Sequence, residues 1–162
     1  MTKLSSVLGS KYQSKRKQLF IRTFDLGGHT FRVKVPTVAE SDAMYQRINS
    51  PDEQKVDEIF KAMSEPLHQY KNQADLHSEF EFLEDDILVG GRSIKETAKT
   101  KVMTQTRIVE FIKLLIPEDE ANSLEDLTYE DVEAEWPISV QMSLLEKIAE
   151  SVSPNYKESR GN

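Results

Sequence analysis

The chain contains no cysteine. That removes disulfides, thiolate zinc sites and cysteine nucleophiles at once, and a reducing cytoplasm suits such a protein. Apolar runs are short. The longest, Phe111-Ile112-Lys113-Leu114-Leu115-Ile116, is interrupted by a lysine and falls far below the length that spans a bilayer. No glycine-rich phosphate loop occurs: Gly27-Gly28 and Gly90-Gly91 lack the spacing and the lysine that such a loop requires, and both pairs read as turns. The opening residues MTKLSSVLGSKYQSKRK have no sustained apolar core and no cleavage-like site, so a secretory signal is not expected there. Acid is also missing from this end. Residues 1–22 hold Lys3, Lys11, Lys15, Arg16, Lys17 and Arg22 without one carboxylate. Those six positive charges, against a chain total of −7, leave −13 on the rest.

At 162 residues the length fits one ordinary domain able to bury its own core. Hydrophobic residues at 38% and charged residues at 30% favour an extensive solvated surface. Residues 117–136 are the densest acidic stretch, with nine carboxylates and no base. Such a surface repels phosphate backbones, so nucleic acid is not an expected partner except at the basic end. A membrane is not expected either. The acidic remainder suits a basic protein partner.

The patterning predicts a mainly α fold: a small β-hairpin followed by five or six amphipathic helices. Residues 1–17 read as a flexible basic arm, 18–152 as a single domain with the hairpin at 18–35, and 153–162 as a disordered polar tail. In the hairpin, QLFIRTFDL and HTFRVKV flank Gly27-Gly28, and Phe31, Val33 and Val35 alternate with Arg32 and Lys34. Pro36 ends the ladder, since it has no N–H to donate. Thr37 with Glu40 predicts a capping box, followed by Val38, Met44, Tyr45 and Ile48 at helical spacing. Ser50-Pro51-Asp52-Glu53 opens a helix whose apolar face is Val56, Ile59, Phe60 and Met63. Residues 66–89 read as a helix or two short helical turns ending at Gly90-Gly91, with Phe80, Phe82, Leu83, Ile87, Leu88 and Val89 as core. Ser93 and Glu96 cap the longest helix, expected to run to Ile116 before Pro117. Ser123 to Leu127 reads as one helical turn, and Thr128 with Asp131 caps a short helix ending near Trp136-Pro137. A last helix runs from Pro137 to Val152 with Ile138, Met142, Leu145, Ile148, Ala149 and Val152 inward.

Catalytic chemistry finds little purchase. His29, His68 and His77 are the only imidazoles. Glu65 and His68 share the i, i+3 spacing of di-metal carboxylate bundles, but that site needs the pair twice and Pro66 lies inside this one. His77 beside Asp75 and Glu79 reads as a solvated patch. Adjacent acids such as Glu84 and Asp85, or Glu118 and Asp119, point in different directions on a helix and single out no converging pair. No catalytic, cofactor-binding or metal residues are assigned and no cofactor is expected. The candidates for protein interaction are Trp136, Met103, Phe111, Leu115, Met142 and Leu145: tryptophan is enriched at binding hot spots, thioethers repack easily, and broad apolar helix stripes suit a partner helix as well as a core.

Three stretches, FIRTFDLGGHTFRVKVPTVAESDAM, LTYEDVEAEWPISVQ and LLEKIAESVSPNYKESRGN, together under half of the chain, resemble in layout the tail assembly chaperones of long-tailed bacteriophages, the family that includes the lambda G protein. The resemblance implies a non-catalytic role in the host cytoplasm, outside the mature virion. Such proteins keep the tape measure protein soluble until tail tube subunits polymerise around it. A frameshifted longer form that recruits the tube protein, and self-association, are further implications. No family binding residue maps onto a single position. Two other functions fit the residues: a structural tail or head–tail component retained in the particle, and a nucleic-acid-linked regulator using the basic arm.

Overall fold

A computed structural model describes residues 2–71 and 79–153. In chain order, helices α1 (Lys3–Leu8) and α2 (Ser10–Lys15) lead through a 3-10 turn (Arg16–Phe20) into strands β1 (Ile21–Leu26) and β2 (His29–Lys34). Helices α3 (Val38–Asn49) and α4 (Glu53–Ser64) and a 3-10 turn (Glu65–Tyr70) follow. Strands β3 (Phe80–Phe82), β4 (Ile87–Val89) and β5 (Arg92–Ser93) precede α5 (Ile94–Ile112), α6 (Tyr129–Glu135) and α7 (Ile138–Val152). The fold is mainly α with a small antiparallel hairpin near its start, as the patterning predicts. Among the described residues no helix is long and apolar enough to cross a membrane.

Two compact units divide the chain: Met1–Asp42 with Ile108–Asn162, and Ala43–Arg107. In the first, the stretch read as an arm carries regular structure. Thr2 caps α1 by accepting from the Ser5 N–H at 3.2 Å, and Gln13 of α2 donates to the Ser5 carbonyl at 2.9 Å. Residues 16–20, expected in part as strand, form the 3-10 turn instead. The hairpin pairs Ile21 with Lys34 through to Leu26 with His29. Gly27 and Gly28 turn it at φ 61° and 81°, left-handed values that a two-residue turn of this twist demands. Phe24 stacks on Phe31 with ring centroids 5.2 Å apart, and Val33 is fully buried while Arg32 and Lys34 face water. The expected alternation is therefore real. Helix α7 packs against β1 and β2.

The longest helix stops at Ile112, four residues before its predicted end. Its last apolar residues leave the helix through a turn, with Leu114 N–H donating to the Phe111 carbonyl at 3.0 Å and Leu115 N–H to the Ile112 carbonyl at 2.9 Å, and then meet β2. Lys34 N–H donates to the Leu114 carbonyl at 2.8 Å, Ile116 N–H donates to the Arg32 carbonyl at 2.9 Å, and Leu115 bridges to Val33. The free edge of β2 thus finds a partner, and its hydrogen bonds outweigh one more helical turn.

In the second unit, Val56 of α4 and Ala98 and Val102 of α5 form a buried cluster, flanked by half-buried Ile59, Phe60 and Met63. The predicted i, i+3, i+4, i+7 face is the packed one. Asp52 caps α4: its carboxylate accepts from the Gln54 N–H at 2.9 Å. Among the described residues of 66–89 the helical reading holds for the turn at Glu65–Tyr70 alone, residues 72–78 lying outside them; Phe80–Ser93 form a three-stranded antiparallel sheet in the order β3-β4-β5. Phe80 and Phe82 sit half-buried with Glu81 exposed between them, a period of two. Leu83, expected in the core, is largely exposed. Asp86 organises the sheet. Its carboxylate accepts from the Ile87 N–H at 2.7 Å, the Lys95 N–H at 3.0 Å and the Ser93 hydroxyl. Gly90 and Gly91 turn β4 into β5 at φ 58° and 81°. His77 and the tail from residue 154 lie outside the described residues.

Candidate functional site

Five of the six candidate residues fall in the first unit, three of them at the carboxy-terminal helices. α6 begins at a capping box: Thr128 accepts from the Asp131 N–H while the Asp131 carboxylate accepts from the Thr128 N–H at 3.0 Å and from its hydroxyl at 3.0 Å. The backbone bond, then the hydroxyl, hold the Asp131 carboxyl below the usual aspartate range. Trp136 closes the helix, its N–H donating to the Val132 carbonyl at 3.0 Å. Pro137 follows as the cap of α7.

What orients α7 is a glutamine. Gln141 is 3% exposed. Its amide nitrogen donates to the Trp136 carbonyl at 2.9 Å, and its amide oxygen accepts from the Tyr129 hydroxyl at 2.8 Å. Leu144 and Ile148, both 0% exposed, continue the inward face at i+3 and i+7. The expected inward row is thereby corrected at two positions. Ile138 is 60% exposed and Met142 38%. Apolar side chains occupy a wide arc of this helix, so periodicity alone fits more than one face; the satisfied amide of Gln141 selects the face that turns in.

Ile138, Met142 and half-buried Leu145 lie at i, i+4 and i+7, an outward apolar row along α7. Trp136, half-buried, stands just before its first turn. Phe111, 4% exposed, belongs to the core. Leu115 is half-buried and engaged in the bridge to Val33. Met103, half-buried, lies on the portion of α5 that belongs to the other unit. Of the six candidates, then, Trp136, Met142 and Leu145 share the α6–α7 region, with Ile138 joining them. All nine carboxylates of residues 117–136 are exposed. An apolar row on α7 therefore follows directly on an acidic, solvated segment.

The histidines take other roles. His29 meets Phe31 edge-on at 4.6 Å, and His68 faces Phe82 at 6.4 Å. No group of three or more histidine and acid side chains is placed to hold a metal among the described residues. An open cleft of about 600 Å³ in the second unit sets Lys95 and Lys99 among Glu53, Asp57 and Glu96. Compared with protein-family models, curated proteins and solved structures, the chain finds no match.

Proposed function

We propose that this chain is a non-catalytic tail assembly chaperone that binds the tape measure protein in the host cytoplasm and holds it soluble until tube subunits arrive. The reading rests on the resemblance of its sequence layout, and one structural observation carries it further: the outward row Ile138, Met142 and Leu145 on α7, next to an exposed acidic segment. A receptor for an amphipathic helix needs an apolar strip to cover the client's apolar face. It also needs fixed charge around that strip, which keeps the free protein dispersed and sets the orientation of a basic client. A thioether in the strip repacks against varied side chains along a long client. A longer, frameshifted form of the chain would recruit the tube protein.

The test is co-expression with the tape measure candidate encoded just downstream, followed by pull-down and a solubility assay. The client is expected to co-purify and become soluble. The variant I138S/M142S removes two exposed side chains and is expected to weaken capture about ten-fold or more, from the lost burial of several methyl and methylene groups at about 0.8 kcal/mol each. A client that stays insoluble and unbound beside the unaltered chain refutes the chaperone. Recovery of the chain from purified particles instead identifies a retained tail component.

A further inference from the structure

We propose that the amino-terminal helix pair docks on an anionic bilayer surface, laying the outward face of α1 into the headgroup layer. α1 displays Leu4, Val7 and Leu8 at 69%, 74% and 56% exposure. Their i, i+3, i+4 spacing places them on one helical face. The face belongs to a built element. Thr2 caps α1, Ser5 is buried, and Gln13 of α2 donates to the Ser5 carbonyl at 2.9 Å. One side of α1 is thus held against the protein, and its apolar side is shown to water. Leu19, 59% exposed in the 3-10 turn after α2, adds a further apolar group. In the same stretch Lys3, Lys11, Lys15, Lys17 and Arg22 are all exposed, and no acid occurs among residues 1–22. Among the described residues no salt bridge engages any of these cations.

Apolar side chains exposed in a group gain by being covered, and cations without a carboxylate among them gain from negative charge set opposite. An anionic bilayer meets both demands at once. The row enters the boundary between headgroups and acyl chains, while the lysine stems extend so that their ammonium groups reach the lipid phosphates. Neither half suffices alone: a small apolar anchor binds a membrane only marginally, and a basic patch beside it makes the contact stable. A nucleic acid would take the cations but leave Leu4, Val7 and Leu8 in water, because its phosphates offer nothing apolar. The remainder of the chain carries the opposite charge, −13, and is repelled by the same lipid, so the field turns the amino-terminal patch toward the bilayer. The contact is one of surface only, since among the described residues no helix is long and apolar enough to cross a membrane.

Co-sedimentation of the full chain with vesicles tests this, using phosphatidylcholine alone and phosphatidylcholine with about one-third phosphatidylserine, which gives the surface a negative potential. The expected result is capture by the anionic vesicles at low salt and little by the neutral ones. Capture is expected to weaken about ten-fold or more as salt rises to about 500 mM, where screening shortens the reach of the charges. K11E/K15E/K17E is expected to weaken it about a hundred-fold, each lysine near the surface being worth about five-fold. L4S/V7S/L8S keeps every charge and is expected to weaken it about ten-fold or more, at about four-fold for each methylene no longer buried. All substituted residues are exposed; circular dichroism confirms that each variant folds. V7W places a tryptophan in the row, and its emission, added to that of Trp136, is expected to move to shorter wavelength with the anionic vesicles only. Absence of capture by anionic vesicles at low salt overturns the proposal, as does capture that ignores either triple variant. Tighter binding to a DNA or RNA duplex, unchanged in L4S/V7S/L8S, overturns it in favour of nucleic acid. No client is present and the α7 row is untouched, so the outcome is separate from that of the tape measure test.

Discussion

Replacing Gln141 probes the element that decides which side of α7 faces water. The side chain is 3% exposed and makes two hydrogen bonds, at 2.8 Å from the Tyr129 hydroxyl and at 2.9 Å to the Trp136 carbonyl. In Q141A both are lost. Each contributes about 1 kcal/mol net, and the missing methylene adds about 0.8 kcal/mol of apolar burial, so the expected loss is about 3 kcal/mol. For a chain of this length that corresponds to a fall of roughly 6–12 °C in Tm. Y129F removes one of the two bonds and is expected to lose about 1 kcal/mol. The two substitutions share a partner, so the double variant loses less than the sum of the singles, by about 1 kcal/mol. Urea unfolding followed by fluorescence reads this locally, because Trp136 is the one tryptophan in the chain and its carbonyl is the acceptor. A Q141A variant within about 0.5 kcal/mol of the unaltered protein would refute the glutamine lock. Strict additivity of Q141A and Y129F would refute the Tyr129 bond.

Three further outcomes are expected. L144A, at a position with 0% exposure, is expected to lose about 2–5 kcal/mol in the same unfolding assay, whereas M142A two residues earlier, on the outward row, stays within about 0.5 kcal/mol. Asp86 gives a pH signature. Partial burial raises its pKa, but the Ser93 hydroxyl and the Lys95 and Ile87 N–H groups outweigh burial and leave it lowered. A lowered folded pKa means that stability is in full force above the ordinary aspartate range and drains away as pH falls through the folded value, so the unaltered protein is expected to lose more stability on acidification than D86N. Finally, G28A places a side chain at φ 81°; nothing lies within 4 Å of the new Cβ, so the loss is purely backbone, about 1–2 kcal/mol by thermal melting.

Local chemistry made much of the fold legible. The hairpin follows from β-branched alternation about two glycines, the capping boxes at Thr37 and Thr128 from hydroxyl and acid three residues apart, and the α4 face from Val56, Ile59, Phe60 and Met63. Each is decided within a few residues of chain, where backbone geometry and side-chain spacing suffice. Residues 80–93 depart from the helical reading because Phe80-Glu81-Phe82 carries only one cycle of alternation, and the strands that follow it are tied to the start of α5 by Asp86, whose hydrogen-bond partners reach nine residues on to Lys95. The α5 terminus was misread for a related reason. The run through Ile116 satisfies a helix locally, and only β2, some 80 residues earlier, supplies the edge to which Leu114 and Ile116 hydrogen-bond. The candidate site divides the same way. Its residue types and acidity could be read directly, but its orientation could not. Composition and periodicity determined that this chain forms amphipathic helices with an acidic exterior. The tertiary structure decided which apolar residues those helices hide, because burial goes to the face whose polar member, Gln141, finds partners on a neighbouring helix, and Ile138 and Met142 are left to the solvent.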